Sequence, residues 1–168
     1  MLWINLLLLV LLLICLITDL KSRKIYNKVL FPTLAFAFVA NITISGWSGL
    51  GSVLVGFLVG LAILLIPFLL GGMGAGDVKL LAVIGALKGS EFVFTTALYM
   101  ALVGGVIALI IILMKKGRAK GLLYYLAARK HGIELPYEKS ALAAKYPYGV
   151  AIVAGALFAL FIQETNPF

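Results

Sequence analysis

The chain has 168 residues, 64% of them hydrophobic and 12% charged, with a formal net charge of +8. Soluble domains lie nearer about 45–50% apolar and about 25% charged, and a chain this short cannot bury so many apolar segments on every side; the composition is that of an integral membrane protein. The positive charges fall in short loops between apolar runs, which is a membrane topology signal and argues against nucleic acid as a partner.

Residues 2–18 form the first predicted span, close to the lower limit for crossing about 30 Å of hydrocarbon. The run has no basic segment before it and no small-residue cleavage site, so it reads as a retained helix rather than a signal peptide. Asp19, Lys21, Arg23, Lys24 and Lys28 follow, which puts this loop in the cytoplasm and the N-terminus outside. Residues 29–44 are the second span, 45–51 an uncharged outer turn and 52–70 the third span. Gly56 and Gly60 in that span make a small-xxx-small pair suited to close helix packing.

The stretch Gly71-Gly72-Met73-Gly74-Ala75-Gly76-Asp77-Val78-Lys79 returns to the cytoplasmic face. The apolar segment after it, 78–87, rises only about 15 Å, half a bilayer core. Its shortness predicts a glycine-rich loop that dips toward the membrane while lining protein or water. Residues 92–114 form the fifth span, and 115–146 a basic cytoplasmic loop in which Leu122, Leu123 and Leu126 sit at the spacing of a surface helix. Residues 147–162 form the sixth span, with an outer C-terminus. The expected fold is all-α, a polytopic membrane protein of six transmembrane helices forming one domain over 1–168. This layout places every Lys and Arg except Lys88 at the inner side.

The chain has two aspartates, Asp19 and Asp77, and the layout puts both on one face. An ionisable group at membrane depth costs about 2.5–3.5 kcal/mol on insertion scales and marks a functional position. Two neighbouring carboxylates share a proton, so one can deprotonate water while the other protonates a carbonyl. That is aspartic-peptidase chemistry and requires no cofactor and no metal. The glycines before Asp77 tolerate positive φ and let a substrate backbone approach. Lys79, two residues on, would leave Asp77's face of a helix, and reads either as an interfacial charge or as part of the site. The glycine-rich segment fits neither the phosphate-loop pattern nor the dinucleotide fingerprint, Cys15 is a lone cysteine in an apolar run, and His131, Glu134 and Glu138 make no ligand set. Helix-end capping is the competing account of the two aspartates. A small transporter or proton relay would use the same carboxylates, but the chain shows no inverted repeat.

These residues resemble the type IV prepilin peptidases. Asp19-Leu20-Lys21-Ser22-Arg23-Lys24-Ile25-Tyr26-Asn27 is similar to the family's first signature, with Tyr26 where proline is usual. Gly74-Ala75-Gly76-Asp77-Val78-Lys79 is similar to its Gly-x-Gly-Asp motif, and Pro147-Tyr148-Gly149 resembles the start of its last helix. The resemblance implies a plasma-membrane endopeptidase with Asp19 and Asp77 catalytic, and Gly74, Gly76, Lys79, Asn27, Pro147 and Tyr148 shaping the site. It implies removal of the short basic leader of prepilin-like substrates at the cytoplasmic face. Long members also carry a Cys-x-x-Cys zinc segment and a methyltransferase activity; with one cysteine this chain matches the short forms, similar to those of tight-adherence pili and to archaeal preflagellin peptidases. A presenilin-like protease, which shares Gly-x-Gly-Asp, and a non-catalytic secretion scaffold are the other readings.

Overall fold

The computed structural model describes residues 2–22, 24–114 and 148–165. Among these all regular structure is helical: α1 (Leu2–Ser22), α2 (Asn27–Leu69), α3 (Ala75–Lys88), α4 (Ser90–Met114) and α5 (Tyr148–Thr165). The expected cytoplasmic loop and its surface helix lie outside the described residues. The chain divides into two compact units, Met1–Val103 with Pro147–Phe168, and Gly104–Tyr146. Of the second, the described part is the end of α4, residues 104–114.

Four helices, α1, α2, α4 and α5, are long and apolar enough to cross a membrane, fewer than the six expected. The difference has two sources. The 14 residues of α3 are too few by length. The 43 residues of α2 take up both the second and the third expected spans.

A straight helix of that length would run about 65 Å, twice a hydrocarbon core. Instead α2 breaks at Gly46, with φ 59° and ψ −139°. Beyond the break, the α-carbon of Gly49 lies against the carbonyl of Asn41. On a continuous helix those residues would be about 12 Å apart, so the chain doubles back at Gly46. Positive φ at a single glycine does the work expected of a seven-residue turn, because helix resumes on both sides.

Burial explains why α3 can be short. From Leu80 to Leu87 every residue is buried, and Val78 with them. Helix α2 packs along it through residues that lack side chains: Gly56 meets the backbone of Gly85, and Gly60 that of Leu81 and Ala82. The small-xxx-small pair is therefore a packing device, as its spacing indicates. On α1, Leu8, Leu11, Leu12 and Cys15 form one buried stripe at helical spacing, and the next position on it is Asp19. The opposite face, with Leu6, Leu13, Ile17 and Leu20, is apolar and exposed, as suits a lipid-facing surface.

Two glycine linkers position α3. At the end of α2 the N–H of Gly72 donates to Pro67 O and that of Gly71 to Phe68 O, both at 2.9 Å. This pattern caps the helix and needs the left-handed φ of 75° at Gly71. At the other end only Gly89 separates α3 from α4. Helix α5 crosses α4 closely where the α-carbon of Gly155 faces Thr96 O and Met100 N.

Candidate active site

Asp19 ends the buried stripe of α1, and its side chain is buried although it sits one turn from the end of a helix. Asp77 lies in the first turn of α3, half-buried. Gly74 is the residue that starts this helix, so Ala75, Gly76 and Asp77 are helical rather than part of a loop. The bonds at this end are reciprocal: the Gly74 N–H donates to Asp77 Oδ2 at 3.2 Å, and the Asp77 N–H donates to Gly74 O at 3.1 Å. The helix start thus orients one carboxylate oxygen of Asp77. Capping and a place in a site are compatible here, since the second oxygen takes no part in that pair.

Both carboxylates line one cavity of about 380 Å3, together with Lys24, Ile25, Tyr26, Asn27, Gly74 and Gly76. Asp19 and Asp77 thus face the same space, with Lys24 the one cationic side chain among the lining residues. Among the described residues no three His, Cys, Asp or Glu side chains converge as a metal-ligand set would.

The predicted site residues distribute as follows. Asp19, Asp77, Gly74, Gly76 and Asn27 share the cavity. Lys79 is outside its lining but reaches back to it, Nζ donating to Asn27 Oδ1 at 3.2 Å and lying 5.8 Å from the centre of the Phe31 ring. It therefore ties the first turn of α3 to the start of α2. Tyr148 is the half-buried first residue of α5. Pro147 lies outside the described residues. The glycines before Asp77 divide: Gly71 has the expected positive φ, at 75°, whereas neither Gly74 nor Gly76 does, and Gly74 is extended at φ −84°. Gly76 instead permits contact, since a Cβ there would lie 3.0 Å from Ile25 Cβ.

Lys24, Ile25 and Tyr26 of the cavity lining were not singled out as site residues from sequence, nor was Gly149. The α-carbon of Gly149 faces the Asp19 carboxyl, and a Cβ there would lie 2.5 Å from Oδ2 and 2.7 Å from Cγ. The signal was present in Pro147-Tyr148-Gly149, but only folding brings α5 against α1.

Apolar helices around a cavity with two carboxylates define a membrane protein with an acid pair. The model of the type IV leader peptidase family matches residues 6–109, and the chain belongs to that family. The matched part contains both aspartates, and the family is one of proteases that act on protein substrates. Neither a curated protein nor a solved structure matches the chain.

Proposed function

We propose that the chain is an aspartic endopeptidase that removes the short basic leader of prepilin-like proteins at the cytoplasmic face of the plasma membrane. The observation that carries this reading is the single cavity lined by Asp19 and Asp77. The pair holds one proton. A water between the carboxylates loses a proton to the ionised one as its oxygen bonds the scissile carbonyl carbon, and the other carboxyl protonates the carbonyl oxygen. Proton return to the leaving nitrogen then breaks the C–N bond and frees leader and mature chain. The pair acts as a unit, so removing either member stops the reaction.

The topology that goes with this reading has six spans: α1, the two limbs of α2 on either side of Gly46, α3, α4 and α5. Both aspartates then lie on the side of Lys21, Lys24 and Lys28, which makes it cytoplasmic. A substrate is a basic leader followed by an apolar helix, cut at their junction. The helix lies in the bilayer beside the enzyme's exposed apolar faces while the leader reaches the cavity.

Co-expression with a candidate prepilin tests the proposal, comparing wild type, Asp19→Asn and Asp77→Asn by gel shift and N-terminal mass spectrometry. Leader loss with wild type alone is the expected result. Leader loss with either variant removes the carboxylate pair from the mechanism. A cut deep within the apolar helix would favour a presenilin-like activity instead.

A further inference from the structure

A helix hides its peptide bonds, because each carbonyl already accepts a bond from the next turn. A bond that is to be hydrolysed must lie in an extended stretch, which presents N–H and C=O groups to either side at about 3.3 Å per residue. Near the edge of a membrane those groups need partners. Such partners line the cavity.

Lys24, Ile25 and Tyr26 connect α1 to α2 without helical structure, and Tyr26 is extended at φ −84° and ψ 128°. All three line the cavity beside the two carboxylates. The Tyr26 carbonyl is engaged by the first turn of α2, accepting from the N–H groups of Val29 and Leu30. Among the described residues, no hydrogen bond uses the amides of Lys24, Ile25 or Tyr26, nor the carbonyls of Lys24 and Ile25. The segment is nonetheless held in place: Ile25 packs against Gly76, the residue before Asp77. A non-helical segment, extended at Tyr26 and with main-chain groups that no described residue engages, is thus fixed next to an acid pair.

We propose that Lys24–Tyr26 is a docking edge on which the scissile segment of the substrate adds as a β-strand, so that main-chain register, rather than a side-chain pocket, sets the cut bond. This rests on the peptidase reading above and specifies how that site takes its substrate. A two-residue step along such an edge preserves the facing of every group, whereas a one-residue step reverses it. The leader is therefore bound in extended form, and its helix begins only past the edge.

Backbone-ester substrates test this without altering the enzyme. The full chain is purified in lipid nanodiscs and given a semisynthetic prepilin-like substrate with a basic leader, a glycine at the junction and an apolar helix. Each amide within three residues of the cleaved bond is replaced singly by an ester, leaving the cleaved bond itself as an amide. An ester removes one substrate N–H, and an edge of this length turns one open carbonyl, of Lys24 or of Ile25, toward the substrate. The expected result is about a five- to tenfold fall in kcat/KM at one position, with parent rates at its neighbours. Parent rates throughout, or equal losses at every position, overturn the docking edge alone. A parent substrate left uncut by wild type, or cut equally by Asp19→Asn and Asp77→Asn, overturns the peptidase reading and the edge with it.

Discussion

Gly149 meets Asp19 through its α-carbon, with no room for a side chain between α5 and the carboxyl group. A Cβ at 2.5 Å from Oδ2 would have to displace either the carboxylate or the start of α5. Gly149→Ala is therefore expected to insert normally and to lose about 100-fold in cleavage rate, the scale of a misplacement of about 1 Å at a reacting group. Gly51→Ala, with nothing among the described residues within 4 Å of its new methyl group, is the matched control and is expected to cleave as wild type. A single-turnover assay on both variants decides it; wild-type rates for Gly149→Ala would mean that Asp19 tolerates displacement.

The proposed acid pair predicts a bell-shaped pH profile. The reaction needs one carboxyl protonated and the other ionised, so kcat/KM should fall on the acid side, where both are protonated, and on the alkaline side, where both are ionised. The Gly74 N–H donates to Asp77 Oδ2 and orients it. Gly74→Pro removes that donor at a φ of −84°, which proline approaches, and is expected to lower kcat/KM about tenfold at the optimum. Wild-type rates for Gly74→Pro would mean that this bond does not position the pair.

How much of this was legible in the sequence depends on the distance over which each feature is set. The apolar runs, the reversal between residues 44 and 52 and the packing use of Gly56 and Gly60 follow from local pattern, and both aspartates stood out as the chain's only two. The run 78–87 was visibly short, but its burial comes from α2 folding along it, which no local pattern encodes. The glycines before Asp77 invited a reading through backbone freedom; Gly76 is instead needed for contact with Ile25, some fifty positions earlier. Gly149 against Asp19 is a contact of the same kind, across most of the chain. Close approach leaves no periodic trace, so it appears only in three dimensions.

Helix packing in the first unit depends on the Gly56–Gly85 contact, where two backbones touch. A methyl group at either position must push α2 and α3 apart, and overpacking of this kind costs about 1–3 kcal/mol. Gly85→Ala is expected to lower the midpoint of thermal unfolding in detergent. Gly51→Ala, in α2 and with nothing among the described residues within 4 Å, should leave it unchanged or raise it slightly through helix propensity. Equal midpoints for the two variants would show that the crossing relaxes without cost.

Lys88 ends α3, and the structure gives it a partner. Its Nζ donates to Asn5 Oδ1 at 2.8 Å and lies 5.1 Å from the centre of the Phe92 ring. Asn5 lies near the start of α1 and Asp19 near its end, about 21 Å apart along the axis. Lys88 and Asp77 likewise occupy opposite ends of α3. The two helices are thus joined at one end by the cavity and at the other by this hydrogen bond. Interhelical bonds in membranes contribute about 0.6 kcal/mol on average, and an ammonium left without its acceptor loses more than a neutral donor does. Asn5→Leu strands the charge, whereas Lys88→Met removes it and keeps an apolar stem. Asn5→Leu is therefore expected to unfold at a lower temperature than Lys88→Met, with both cleaving at wild-type rates well below the transition. Thermal unfolding in nanodiscs measures the order, and a reversed order would place the contribution of Lys88 in its contact with Phe92 rather than in the bond to Asn5.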